Sequence, residues 1–565
     1  MGVRRAMETV LAEANREKGP IYTFGPLIHN TQVMELLESK GVTSVEDISG
    51  LDSGTIVIRA HGIPPDQRAR LKTSGLRLID ATCPRVARVQ SIIRYHTKKG
   101  YTAFIVGDKD HPEVIGLMGY GNGRAWVINQ ISDVERLPQA DKVCVVAQTT
   151  QNDETYREIQ EAIKKRYSDT LVFDTICDAT HSRQEEVRSL TGLVDGVVVV
   201  GGYHSGNTRR IVQVSKEAGL PTIHVETEKE LTDEMLSNMQ KVAVTAGAST
   251  PNWMIKNVVK EIEAILSRRE SSMGRWMRRL FKILLLCNVL VALGAFALCY
   301  AATLLTGAKP DLIHPILAFL YVYAMYVMNR FLDKGAGTYN DPERANFYRR
   351  HRVWLIITGL GAIVSALVLS YFLGSPIFFS MAGVIVLGII YSIPIVPTGQ
   401  RHLWRFARIK DIPGSKTLVT ALAWAAVIAL LPLLEPVEIH WFQAITSFLF
   451  VFSMVYVVSG LFDIFQVQGD RIVGAETLPI TLGENRTLQL LKGVVFGGAL
   501  ILIVAPFFGP IGPFSYVLLL CFLSLFLSIL TYEKRWIYAG NRLEALVEGN
   551  FFLAGLLGLF WQLLQ

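Results

Sequence analysis

A set of short polar motifs in the first 250 residues carries groups suited to acid–base and anion chemistry. They are Leu27-Ile-His29-Asn30, Ala60-His61-Gly62, His111-Pro-Glu113-Val, Gln148-Thr149-Thr150, Ser205-Gly-Asn207 and Ala246-Gly-Ala-Ser249. Imidazoles, hydroxyls and an amide, joined by backbone N–H groups at helix starts, make a pocket for an anion with many oxygens. Glu113, beside His111, is placed to relay protons. Cys83 in Asp80-Ala-Thr-Cys83-Pro84 and Cys177 in Ile176-Cys177-Asp-Ala-Thr180 are similarly framed. Two thiolates with a third ligand suit zinc or an iron–sulfur cluster, and a cytoplasmic setting argues against a disulfide. Spacing alone leaves that choice open. A lone histidine is ordinarily a core or loop residue, and a lone cysteine a small buried hydrophobe, the reading given to Cys144.

A second group lies in the other half. Asn329-Arg-Phe-Leu-Asp333 places an amide and a carboxylate four residues apart, on one helical face, and Asn340, Asp341 and Glu343 follow. Asp463-Ile-Phe-Gln-Val-Gln-Gly-Asp470-Arg471 repeats the theme. Clustered oxygen ligands suit Mg²⁺ shared with substrate phosphates. Arg408, Lys410 and Arg471 are placed to hold the remaining phosphate charge. The bland alternative is solvated loop charges and helix caps. Together the residues ask for a diphosphate at a membrane surface, its apolar tail among helices.

The elements that must position these groups differ between the halves. The 565 residues are 50% hydrophobic and 19% charged, against about 25% charged in a soluble average. That excludes a disordered or fibrous chain. Up to about residue 265, apolar runs (Thr55–Ile58, Tyr101–Val106, Lys142–Ala147, Gly196–Gly201, Lys241–Thr245) alternate with helical stretches such as Glu154–Arg166 and Arg183–Leu193. This predicts βαβ units with parallel sheets and functional residues at strand carboxyl ends. The first 20 residues are charged, so no secretory signal is expected. Residues 266–282 form a linker rich in arginine, and 283–565 a membrane domain.

Nine apolar stretches follow: 281–305, 311–329, 353–373, 376–396, 416–434, 442–462, 489–508, 512–531 and 546–564. Each approaches the ~20 residues a bilayer core requires. The loops after the second, fourth, sixth and eighth stretches are basic, and the opposite loops carry almost no cations besides Lys309. By the positive-inside rule the first half and the basic loops are cytoplasmic, in the inner (cytoplasmic) membrane. The net charge of +7 is then largely topological, and no nucleic-acid partner is expected.

Residues 280–565 resemble the UbiA family of intramembrane prenyltransferases. The likeness rests on the nine stretches, Asn329–Asp333, Tyr391-Ser392, Lys410-Asp411-Ile-Pro-Gly-Ser-Lys416 and Gly469-Asp470-Arg471-Ile-Val-Gly474-Ala-Glu-Thr477-Leu-Pro479. It implies transfer of a prenyl group from a prenyl diphosphate to an acceptor, with Mg²⁺ on Asn329, Asp333, Asp463 and Asp470. Gly337 and Gln466 stand where the family usually has further aspartates, which leaves the metal count open; Asp341 is a spatial substitute to consider. Residues 2–260 resemble the LytB/IspH family of 4-hydroxy-3-methylbut-2-enyl diphosphate reductases, on the full set of polar motifs. That implies three α/β lobes around a cavity and a [4Fe–4S] cluster held in part by Cys83 and Cys177. It assigns His29, His61, Ser205, Asn207 and Ser249 to diphosphate, and His111, Glu113 and Thr149 to proton delivery. An electron donor such as ferredoxin or flavodoxin is a partner.

The family's first cysteine lies in a Gly-Phe-Cys-x-Gly-Val stretch, and this chain opens Met1-Gly2-Val3-Arg4-Arg5-Ala6, so that position falls just before Met1. Met1 is therefore expected to be an internal methionine, and the chain as it stands to hold a cluster poorly. The expected architecture is a three-lobed α/β soluble domain followed by an all-α, nine-helix transmembrane domain. The leading reading is a bifunctional isoprenoid enzyme. The alternative is a membrane prenyltransferase with a non-catalytic, diphosphate-binding regulatory domain. A transporter is disfavoured, because few ionisable residues lie within the apolar stretches.

Overall fold

Short runs of β-branched residues bounded by glycine or polar residues make the inner strands of the first half. A computed structural model of the chain describes residues 2–16, 19–267, 272–309, 311–332, 339–393, 408–434, 441–534, 536–537 and 541–564. It divides into two compact units, Met1–Glu270 and Ser271–Gln565.

The first unit holds three wholly parallel sheets. The first comprises β1 (Ile21–Phe24), β2 (Val42–Val45), β3 (Thr55–Ile58) and β4 (Arg77–Asp80) in the order β2-β1-β3-β4. The second comprises β5 (Thr102–Val106), β6 (Ala125–Ile128), β7 (Lys142–Ala147) and β8 (Asp169–Val172), ordered β6-β5-β7-β8. The third places β9 (Gly196–Val200) between β10 (Thr222–Val225) and β11 (Val242–Ala246). Helices cover both faces. In the second sheet Phe104, Val143 and Val145 join one core cluster and Ala103, Ile105, Cys144 and Val146 the other. A sheet buried on both sides reads as a continuous apolar run, and each buried Val or Ile contributes about 1.5–3 kcal/mol. Cys144 is fully buried in β7, where desolvation pushes its thiol up to about 12.

The expected strands are present with small shifts of their ends. Six strands are additional: the inner β1, and the flanking β2, β4, β6, β8 and β10, which are four residues long. The helix expected at Arg183–Leu193 instead runs from Asp178 to Ser189, directly after Cys177.

The second unit is helical. Among the described residues, eight of its helices are long and apolar enough to cross a membrane, or nine if a bent pair counts as one span. That pair departs from the expected first stretch at 281–305. The chain forms one helix over Ser272–Leu286 (α10) and another over Val289–Leu305 (α11), bent by 74°. Asn288 sits at the break in the left-handed conformation, φ 62° and ψ 17°, and its Nδ2 donates to Tyr348 Oη at 2.5 Å. Asparagine tolerates this region better than β-branched residues do. Lengthening also separates structure from expectation at 442–462. That helix runs from Trp441 to Val473, 33 residues, so Asp463 and Asp470 lie on a helix and not in a loop. The polar end stays helical because both carboxylates are buried and find donors on neighbouring segments.

The left-handed break gives an ordered expectation. Asn288→Gly should lower the thermal midpoint in detergent only slightly, through the lost Tyr348 contact. Asn288→Val should lower it further, by about 1–2 kcal/mol of added backbone strain. A Val variant at least as stable as the Gly variant would remove strain from the account.

Candidate functional site

Parallel strands present all their carboxyl ends on one side, and the polar motifs follow them. His29 follows β1, His61 follows β3 and Cys83 follows β4. His111 follows β5, Thr149 follows β7 and Cys177 comes after β8; Ser205 follows β9 and Ser249 follows β11. Many of these loops open directly into helices. Asn30 caps Thr31–Ser39, His111 caps Pro112–Gly119 and Ser205 caps Gly206–Glu217 through side-chain acceptors. Cys83 and Cys177 occupy the cap positions of Pro84–Lys98 and Asp178–Ser189.

The three histidines converge. Ring centroids are 4.8 Å apart for His29–His61, 5.3 Å for His61–His111 and 5.7 Å for His29–His111. The third sheet closes on them from the other side. A methyl at Gly206 would lie 3.2 Å from His111 Nε2, and one at Gly202 would lie 2.7 Å from the His29 carbonyl oxygen. Glycine is therefore required where this lobe meets the histidines. Among the described residues, His29 Nε2, His61 Nδ1, Asn207 Nδ2 and Arg59 Nε are buried without a hydrogen-bond partner. Such orphans are costly, and a ligand rich in acceptor oxygens satisfies them. Ser249 Oγ lies 3.5 Å from Ser205 Oγ, and Thr180 Oγ1 donates to Asn207 Oδ1 at 3.4 Å, so these groups share one neighbourhood.

Glu113 is 2% exposed. Thr149 N donates to its Oε1 at 2.7 Å and Thr149 Oγ1 to its Oε2 at 2.9 Å. Desolvation outweighs those bonds and pushes the carboxyl up to about 7. Burial, then His29, pushes His111 down to about 4. Burial also lowers His29, with Arg59 next, and holds His61 well below its usual value, with His29 next. All three imidazoles are thus neutral near pH 7. His111 Nδ1 accepts from Glu113 N at 3.1 Å, which leaves the ring proton on Nε2, facing Gly206.

Sequence reasoning missed Arg59, His204 and Arg209, which all act on His29. Each stands within two residues of a quoted motif, so the signal lay in their immediate flanks.

Cys83 and Cys177 are free and half-buried. Arg85 and Asp178 form an ion pair across the two loops, which ties the thiol-bearing turns together. Gly2 lies directly against Cys83 Sγ. Cysteine sulfurs are soft donors that suit iron. Two such donors fit two corners of an iron–sulfur cube. Cys144, sealed in β7, is no third donor.

In the helical unit Asp333 lies outside the described residues, as does Gly337. Asn329 Oδ1 accepts from Ser392 Oγ at 3.0 Å. Arg408 Nη1 donates to the Leu332 carbonyl at 3.3 Å, which brings it to the end of the Ile313–Leu332 helix. Asp463 is 1% exposed; its Oδ2 accepts from Thr417 Oγ1 at 2.5 Å and its Oδ1 lies 3.0 Å from Lys416 Nζ. Gln466 Oε1 shares the same lysine at 3.5 Å. Asp470 is 3% exposed and accepts from Asn340 Nδ2 at 2.8 Å, a bond joining the two acidic segments across 130 residues. Asp463 and Asp470 are two helical turns apart, about 10 Å along one face. Asp341 caps the Pro342–Arg350 helix and pairs with Arg344 at 3.2 Å, so its carboxylate is engaged locally. Lys410 sits in the Ile409–Asp411 turn, and Arg471 follows Asp470 on the long helix.

Strand-end donors in one unit and buried carboxylates among apolar helices in the other define an enzyme of two chemically distinct parts. Residues 1–263 match the LytB protein family model, and residues 284–556 that of the UbiA prenyltransferase family. The 4-hydroxy-3-methylbut-2-enyl diphosphate reductase of Alkaliphilus oremlandii (strain OhILAs) is 42% identical over 263 residues, 46% of this chain and 94% of that protein. The reductase of the same name from Geobacter sp. (strain M21) is 43% identical over 265 residues, 47% of this chain and 93% of that protein. Among solved structures, a UbiA homolog from Archaeoglobus fulgidus bound to GPP and Mg²⁺ is similar at 15% identity and a TM-score of 0.37, covering 48% of this chain and 95% of that one. The chain belongs to the LytB family over its α/β unit and to the UbiA prenyltransferase family over its helical unit, as a LytB–UbiA fusion.

The raised Glu113 carboxyl has a spectroscopic consequence. Its protonated C=O infrared band should be present below pH 7, fade as pH rises through about 7, and be absent from Glu113→Gln. A band that does not change across that range would show that Glu113 titrates elsewhere.

Proposed function

We propose that the α/β unit reduces 4-hydroxy-3-methylbut-2-enyl diphosphate to isopentenyl and dimethylallyl diphosphates. The helical unit then transfers a prenyl group from a prenyl diphosphate to an acceptor at the cytoplasmic face of the inner membrane. The observation that carries the first half is 42% identity across 94% of a reductase, over a chain whose polar motifs gather at strand ends.

His29, His61, Ser205, Asn207 and Ser249 bind the diphosphate. Imidazoles contribute N–H donors, and Arg59 and Arg209 contribute the charge. Glu113, titrating near 7, carries a proton, which passes through Thr149 Oγ1 to the reacting carbon or hydroxyl. His111 Nε2 orients the hydroxyl. Two electrons and two protons replace the C–O bond with C–H and release water. Cys83 and Cys177 would hold two irons of a [4Fe–4S] cluster, which would supply electrons, drawn from a donor such as ferredoxin or flavodoxin, and a Lewis acid. In the helical unit Asn329, Asp333, Asp463 and Asp470 would hold Mg²⁺, and Arg408, Lys410 and Arg471 would take the diphosphate charge. The prenyl C–O bond breaks toward diphosphate, the acceptor's nucleophile bonds the allylic carbon, and the acceptor loses a proton.

Anaerobic reconstitution of the full chain with iron and sulfide tests the first half. Iron and labile sulfide bound together with reductase turnover are expected. A colourless unit that still binds the diphosphate would favour the regulatory reading.

Membranes supplied with labelled prenyl diphosphates and an acceptor panel test the second half. Product should form only with Mg²⁺; none under any combination overturns the assignment. Gly469→Ala sharpens it, because a methyl there falls 2.0 Å from Asn340 Oδ1 and must displace the donor to Asp470. Transfer should fall by one to two orders of magnitude, roughly the cost of about 1 Å of misplacement, with a raised Mg²⁺ requirement.

A further inference from the structure

α10, Ser272–Leu286, is the first arm of the bent pair and is not among the eight helices that qualify as spans alone. Its residues segregate. Met273, Trp276, Met277, Leu280 and Phe281 recur at helical spacing on one face, while Arg278, Arg279 and Lys282 lie on the opposite side. The apolar side is uncovered: Met273 is 66% exposed, Trp276 60%, Met277 61% and Phe281 52%. A monomer in water rarely exposes such a contiguous apolar patch. At 15 residues with several cations, α10 is too short and too charged to span. Its Trp276–Leu286 segment meets the Val289–Leu305 helix at 74°. Spans tilt about 20° on average, so a partner at this angle lies close to the membrane plane. Lys282 Nζ, 2.5 Å from Glu343 Oε1, fixes the helix against the Pro342–Arg350 segment.

We propose that α10 is an in-plane membrane helix that docks on an anionic leaflet. Its apolar face sits at the acyl–headgroup boundary, and Arg278 and Arg279 reach anionic phospholipid headgroups. Lipid is favoured as the occupant because the exposed face continues into a chain that itself crosses the bilayer, and because the cations stand opposite that face, toward the headgroups of an in-plane helix. The inference rests on the membrane placement of the helical unit and on neither chemical activity.

The test uses the full chain, one copy per nanodisc, in phosphatidylcholine alone or mixed with phosphatidylglycerol. Amide hydrogen exchange is read over residues 272–286. A helix of this length is marginal when free in water, so its exchange reports docking. Exchange should be slower in the anionic discs. Arg278→Gln and Arg279→Gln should each reduce that difference about fivefold, from about 1 kcal/mol per basic residue near an anionic surface. Trp276→Ser with Phe281→Ser should exchange fast in both discs. Equal exchange of the parent chain in the two disc types would overturn the proposal. So would full protection in detergent without lipid, which would mean that protein covers the face. Equal protection by inorganic phosphate in zwitterionic discs would overturn it too.

Discussion

A carboxylate taken out of water must find a cation, find donors, or accept a proton, and both halves are organised by how they meet that demand. Glu113 has donors in Thr149 but no ion-pairing cation in contact, so it holds a proton near neutrality. Asp463 has Lys416 and Thr417, and Asp470 has Asn340. The first solution makes a group that holds a proton near neutrality. The second keeps a buried carboxylate among polar donors. Local surroundings therefore divide acid–base work from electrostatic work.

Those surroundings are built differently. In the α/β unit, parallel strands bring side chains from three sheets to one place, and close glycine contacts at Gly202 and Gly206 let the third sheet approach the histidines. In the helical unit the polar groups come from the end of one long helix, the start of the Ser415–Ala425 helix and the segment beginning at Asn340. The Asn340–Asp470 bond links the two acidic segments. It works only because residue 469 has no side chain.

Much of this was legible in the sequence where burial is two-sided. Thr55–Ile58 and Lys142–Ala147 are strands to the residue, because a strand covered on both faces is apolar throughout. Edge strands such as Arg77–Asp80 and Asp169–Val172 are half polar and four residues long, and they leave no comparable pattern. The histidine, serine and asparagine donors could be read from motifs following strands. Arg59, His204 and Arg209 could not, since only the fold shows which flanking residues act on His29. The break at Asn288 was hidden because apolar residues continue through it, and hydropathy carries no dihedral information. The helical setting of Asp463 and Asp470 was missed for the converse reason. Polarity suggested a loop, whereas buried donors let the helix continue.

The helix Trp441–Val473 has one consequence of scale. At 33 residues it is about 50 Å long, while a hydrocarbon core is about 30 Å thick. Its last turns therefore stand outside the oil, at the level of headgroups and interfacial water. A diphosphate held near Asp470, as proposed, would stay hydrated on one side while its chain dissolves on the other. Partitioning then acts as a filter before any pocket does: a molecule too polar to linger at that boundary, or too apolar to surface there, does not meet the carboxylates.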